Sequence, residues 1–186
     1  MRQTPSLSGQ LSDLGPPFCR LNVGDIEQVF EVMRSAAGPG VIPPGFNLSI
    51  DDAAKLFSPP VHIDLVPALG VFGLFENDTG LGGFIALAEI EIDDKPCLEF
   101  YIFFKPGSRS PGIALEGANR LTRLARSSVK HPICTLIYSE NERGKRFYSK
   151  AGFCFDRRVD LDGMVLELWI WHDPMERTSQ MTEYLG

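Results

Sequence analysis

Residues 105–114 read Lys105-Pro106-Gly107-Ser108-Arg109-Ser110-Pro111-Gly112-Ile113-Ala114, and the chain can be read outward from them. They join an aromatic-rich, strand-like run, 98–105, to a helix-like run, 111–128. In the second run Ile113, Leu115, Ala118, Leu121, Leu124 and Ala125 fall on one face at helical spacing, with Arg120, Arg123 and Arg126 opposite. The first N–H groups of a helix have no partner within it, and the helix dipole places partial positive charge there. A phosphate satisfies both. Gly107 and Gly112 let backbone approach an anion closely, and Pro111 suits a first helical position. The junction therefore predicts an anion site of unspecified kind, although a Gly- and Pro-containing turn also forms without any ligand.

Before this junction, residues 71–75, 83–92 and 98–105 read as strands with turns at 76–80 and 93–96, a spacing that predicts an antiparallel meander. Residues 18–21 read as a short strand. Asn22 or Asp25 then caps a helix with Ile26, Val29, Phe30 and Met33 on its apolar face, and Ser49 opens a second that Pro59-Pro60 stops. After the junction, 132–138 reads as a buried strand and 141–150 as a short helix ended by Gly152. Residues 153–159 and 164–171 read as a hairpin around Asp162-Gly163. This order predicts an α/β fold: a mixed, mostly antiparallel sheet with helices on both faces. Strands 98–105 and 132–138, joined through a helix, should be parallel and connected right-handedly. Residues 1–17 read as a flexible arm, 18–172 as one domain and 173–186 as a polar tail.

The 186 residues suffice for one domain with a real core. A net charge of −6 argues against tracking a nucleic-acid backbone and suits encounter with cationic amines. No apolar run approaches the ~20 residues of a membrane span. The polar N-terminus carries no signal-peptide core, so a cytoplasmic protein is expected. Cys19, Cys97, Cys134 and Cys154 are widely spaced and are expected as reduced thiols. His62, His131 and His172 make no metal-ligand pattern. Neither a nucleophile elbow, G-x-S-x-G, nor a phosphate-binding P-loop is present.

Arg109-x-x-Gly112-x-Ala114 resembles the R/Q-x-x-G-x-G/A pyrophosphate signature of the Gcn5-related N-acetyltransferases (GNAT), in the place where that family carries it. A second block, Asn141-Glu142-Arg143-Gly144-Lys145-Arg146-Phe147-Tyr148-Ser149-Lys150-Ala151-Gly152-Phe153, is similar to the family's Asn…Tyr-x-Lys-x-Gly-Phe segment. The two occur in the family's order, and the resemblance spans residues 69–171. It implies the GNAT fold, with its fourth and fifth strands splayed apart at a bulge. It also implies metal-free transfer of an acetyl group from acetyl-CoA to a primary amine of a small molecule or protein. Backbone N–H groups from Ser108, Arg109, Ser110, Gly112, Ile113 and Ala114 would hold the pyrophosphate. Phe103 and Phe104 would offer backbone to the pantetheine arm, Asn141 would contact it, and Tyr148 would protonate the departing thiolate.

An ammonium must lose a proton before it attacks, so a base is needed. Glu99 alternates with Tyr101 and Phe103 on one strand face, while Leu98, Phe100, Ile102 and Phe104 share the other. Glu99 is the candidate base and Glu89, on the preceding strand, the second choice. The plain alternatives are a solvated or paired surface carboxylate for Glu99 and a packing tyrosine for Tyr148. Ser110-Pro111 replaces the Gly- and Arg-rich centre of the family's loop, and Pro111 has no N–H. The competing functional reading is therefore a GNAT-like binding or assembly module that has lost cofactor binding. The Gly-Ile-Ala-x-x-Gly-Ala run at 112–118 is also similar to phage-encoded GNAT-like proteins. Trp169 and Trp171 on the last strand suggest either packing on the sheet or a partner surface, a homodimer included.

Overall fold

A computed structural model describes residues 14–38, 40–64, 66, 68–76, 80–108, 111–161 and 163–173. Its elements are β1 (Phe18–Arg20), a 3-10 turn (Val23–Asp25), α1 (Ile26–Ala36), α2 (Ile50–Lys55), β2 (Gly70–Glu76), β3 (Gly80–Ile92) and β4 (Lys95–Phe104). There follow α3 (Pro111–Ser128), β5 (Ile133–Tyr138), α4 (Glu142–Lys150), β6 (Phe153–Leu161) and β7 (Met164–Trp171). The strands form one sheet in the order β1-β2-β3-β4-β5-β7-β6. Every neighbouring pair is antiparallel except β4–β5, which the α3 crossover makes parallel. The α/β mixed sheet expected from the order of elements is the one observed.

Local chemistry sets the boundaries. Asn22 accepts from the Gly24 N–H at 2.8 Å, and its own N–H donates to Asp25 at 2.9 Å. The Ser49 N–H donates likewise to Asp52 at 2.9 Å, opening α2. Asp93 and Asp94 both take positive φ, 51° and 60°, between paired residues Ile92 and Lys95. That is a two-residue hairpin turn of the kind that matches strand twist. It lets β4 start at Lys95, earlier than the sequence reading placed it. Gly152, with φ 96°, ends α4 as expected, because a side chain there would be strained.

Period-two alternation sends β4 side chains to two different cores. Leu98 and Phe100 join Phe72, Ile85 and Leu87 beneath α3 and α4, against Ala118, Leu121, Ala125 and Tyr148. On the other face Val71, Phe84 and Ala86 pack under α1 and α2, against Val29, Val32, Met33, Ala53 and Leu56, with Tyr101 and Phe103 at their margin. Each fully buried Leu or Phe contributes roughly 1.5–3 kcal/mol. Trp171 is buried and donates from Nε1 to the Ala151 carbonyl at 3.1 Å, while Trp169 donates to Glu167 at 3.2 Å. Both indoles are thus engaged within the chain.

The described residues just ahead of β1 touch the domain. Leu14 is buried in the core, and Arg120 donates to the Pro16 carbonyl at 2.9 Å. The earlier part of the arm and the tail from residue 174 lie outside the described residues.

Helix α3 lies close on the sheet because residue 117 has no side chain. A Cβ at Gly117 would stand 2.5 Å from Phe18 Cζ and 3.0 Å from Ile85 Cδ1. Gly117→Val is therefore expected to lower stability by roughly 1–3 kcal/mol through overpacking, read as a lower urea midpoint with unchanged slope.

Candidate active site

The site is built where the parallel pair comes apart. The Leu98 N–H donates to the Pro132 carbonyl at 2.9 Å, and Leu98 and Glu99 pair with Ile133 and Cys134. There the β4–β5 ladder stops, while β5 continues to pair with β7 as far as Tyr138. The β4 backbone from Phe100 to Phe104 keeps its ladder with β3 alone. Its β5-facing groups are left to find other partners.

Glu99 sits at this fork. It is only 6% exposed, so the surface-carboxylate alternative is overturned. Its place on the α1-facing side of β4, at the last paired position, buries it. Burial pushes its pKa up to about 7, against the opposing effects of a hydrogen bond from the Tyr101 hydroxyl and one from the Leu136 backbone N–H. The Tyr101 hydroxyl donates to Glu99 Oε2.

Tyr148 comes to the same fork from the opposite sheet face. It is buried on α4, edge-on to Phe100, Phe147 and Phe153 with ring centroids 5.3–6.2 Å away. Burial pushes its pKa above the ordinary range, the Thr135 hydroxyl works against that shift, and the Glu99 charge adds to it. The carboxylate thus acts on the phenol across the gap in the sheet. The pair offers one group that can accept a proton near neutral pH and one that keeps its proton.

Glu89, the second candidate base, is otherwise engaged. It accepts the N–H groups of Val61, His62 and Ile63 at 2.8, 2.9 and 3.1 Å, and meets His62 Nδ1 at 2.7 Å. Burial would raise its pKa, but the His62 and backbone hydrogen bonds outweigh it and hold the carboxyl below its usual range. Its role is to pin the loop after α2.

The other predicted residues are dispersed around the fork. Phe103 packs on Phe84 at 5.5 Å, on the α1 side. Phe104 packs on the other side, over Gly83. Ser108 is held by the turn itself: its N–H donates to Lys105 O at 3.0 Å, and its hydroxyl lies 2.9 Å from Gly82 O and 2.6 Å from Lys105 O. Gly112 and Ile113 lie in the first turn of α3, where N–H groups lack intrahelical acceptors. Ala114 is buried. Arg109 and Ser110 lie outside the described residues. Asn141 caps α4, accepting from the Gly144 N–H at 2.8 Å, and its Nδ2 lies 3.5 Å from Val41 O.

Sequence reasoning passed over Thr135, a buried polar residue in an apolar strand, and Tyr101 as a hydrogen-bond donor. Thr135 stood out only as a hydroxyl in an apolar run. Cys97 and Cys134 are buried beside Glu99. The neighbouring Cys97 thiol, burial and the Glu99 charge all push the Cys134 thiol up. Among the described residues, no cluster of three or more His, Cys, Asp or Glu could hold a metal, and no helix is long and apolar enough to cross a membrane.

This architecture is that of a known class. A Bordetella pertussis protein described as a GNAT-family acetyltransferase aligns with 83% of this chain and 94% of its own, with a TM-score of 0.60 at 18% identity. Spermidine N-acetyltransferase from Vibrio cholerae, in complex with CoA and spermine, aligns over 82% and 91%, with a TM-score of 0.54 at 19% identity. Arabidopsis thaliana Naa50, with the bisubstrate analogue CoA-Ac-MVNAL, aligns over 83% and 97%, with a TM-score of 0.58 at 14% identity. No family model and no curated protein matches the chain. The chain has the GNAT fold, with the parallel β4–β5 pair that the two sequence signatures implied.

Proposed function

We propose that this chain is a cytoplasmic N-acetyltransferase that moves the acetyl group of acetyl-CoA to a primary amine by direct attack. The observation that carries the reading is the placement of Glu99 and Tyr148 on opposite sides of the β4–β5 fork. Glu99 takes a proton from the substrate ammonium, directly or through water, the neutral amine so formed attacks the thioester carbonyl, and Tyr148 gives its proton to the departing thiolate. The thioester supplies the activated acyl group. Phe103 and Phe104 lie on the stretch of β4 whose β5 side is unladdered, so their backbone suits a peptide-like pantetheine arm. The N–H groups of Gly112 and Ile113 suit a phosphate. Asn141, the cap of α4 just after β5, is the further candidate contact for that arm. The amine acceptors in the names of the structural neighbours, spermidine among them, support the same class of acceptor here.

One observation favours the module reading. The Ser108 N–H is spent in the turn and Pro111 has none, so neither of these two positions offers a pyrophosphate a backbone donor. Isothermal titration with coenzyme A separates the two. Micromolar binding is the expected result. A coenzyme concentration of 100 times Kd should then add about 2.7 kcal/mol of stability, seen as a raised Tm. No heat at millimolar coenzyme would assign the chain to the module class.

A further inference from the structure

The fork contains a hydroxyl that acetyl transfer, as described, does not use. Tyr101 is two residues beyond Glu99 on β4 and so shares its face. Its hydroxyl donates to Glu99 Oε2. Burial, and then the Glu99 charge, push the Tyr101 phenol well above its ordinary range, so the shared proton belongs to Tyr101 at neutral pH.

The surroundings leave this bond few competitors. On β4 the titratable neighbours on that face are Cys97 and Tyr101, and on β5 Cys134 faces Glu99. Helix α4 contributes Tyr148. Strand β3 sets Ala88 opposite Glu99 and Ala86 opposite Tyr101. The α1 residues in this core, Val29, Val32 and Met33, are apolar. Cys134 and Tyr148 each feel the Glu99 charge. Among the described residues, Tyr101 and the Leu136 N–H hydrogen-bond the carboxylate.

We propose that Tyr101 is a positioning residue for Glu99: its hydroxyl holds the carboxylate at the β4–β5 fork and sets the pH above which that carboxylate can accept a proton. This rests on the reading of Glu99 as the base. A donor to a buried carboxylate favours the ionised form. Tyr101→Phe removes that donor with little change in ring volume, so Glu99 should hold its proton roughly tenfold more tightly.

The test is a carboxyl ¹³C NMR titration of wild-type and Tyr101→Phe chains, with Glu99→Gln assigning the signal. The expected result is an upward move of the Glu99 midpoint by about one pH unit. The acid limb of kcat/KM should move with it, giving a rate about fivefold lower at pH 7 and close to wild type at pH 9. A tyrosine that only fills space would lower the rate equally at every pH. A Glu99 midpoint that stays or falls overturns the proposal. If the midpoint rises but no acetyl transfer is found in either chain, the acetyltransferase reading fails and the Tyr101–Glu99 coupling stands. If Tyr101→Phe does not fold, the wild type still decides. A downfield, exchange-protected hydroxyl proton that Glu99→Gln removes supports the bond, and its absence overturns it.

Discussion

Glu99→Gln is expected to lower acetyl transfer about a hundred- to ten-thousand-fold and to abolish the acid limb of the pH–rate profile. In the wild type kcat/KM should fall as pH drops through about 7, because burial holds the carboxyl protonated there. The same substitution tests the fold. The folded chain binds the Glu99 proton more tightly than the unfolded chain, whose pKa is near 4.5. The stability this proton contributes is therefore fully present below the unfolded value and is lost as pH rises through about 7. The loss amounts to about 3 kcal/mol on the alkaline side. Glutamine cannot titrate, so Glu99→Gln should flatten the pH dependence of the urea midpoint and make the chain relatively more stable at alkaline pH. A variant that retains both the acid limb and the alkaline loss of stability would remove Glu99 from the mechanism.

Tyr148→Phe is expected to lower kcat by about a hundredfold with little change in KM, since the proton matters only as the thiolate departs. Phenylalanine preserves the edge-on contacts with Phe100, Phe147 and Phe153. Stability should fall by only ~1 kcal/mol, for the Thr135 hydroxyl that loses its partner. An acyl donor with a more acidic thiol needs less help in leaving, so it should recover most of the lost rate. Single-turnover rates with two such donors measure this. An equal defect with both would make Tyr148 a packing residue.

Much of this could be read from sequence because it depends on local rules. The run 111–128 is helical as expected from its spacing, Asn22 and Ser49 open their helical turns through bonds to Asp25 and Asp52 three residues on, and Gly152 ends α4. The alternation of Glu99, Tyr101 and Phe103 against Leu98 and Phe100 follows from the pleat alone. The start of β4 was misplaced because Asp93 and Asp94 both adopt positive φ, a cost that only strand pairing makes worthwhile. A single leucine carries no period, so nothing in the sequence marks Leu14, which is buried in the same core cluster as Phe18 and the α3 residues Ala118 and Leu121.

The site divides in the same way. By itself the sequence determined the order of elements, the parallel crossover, and the presence of a glutamate and a tyrosine in the right segments, since these follow from spacing along one chain. Tertiary structure decided what those groups are chemically. Glu99 and Tyr148 lie on different elements and different sheet faces, and they interact because the β4–β5 ladder ends at Glu99 and Cys134. Glu89 is just as acidic in sequence, yet three backbone N–H groups and His62 take it out of use. Proton affinity is set by burial and by partners distant along the chain, and neither is encoded in a residue's immediate neighbours.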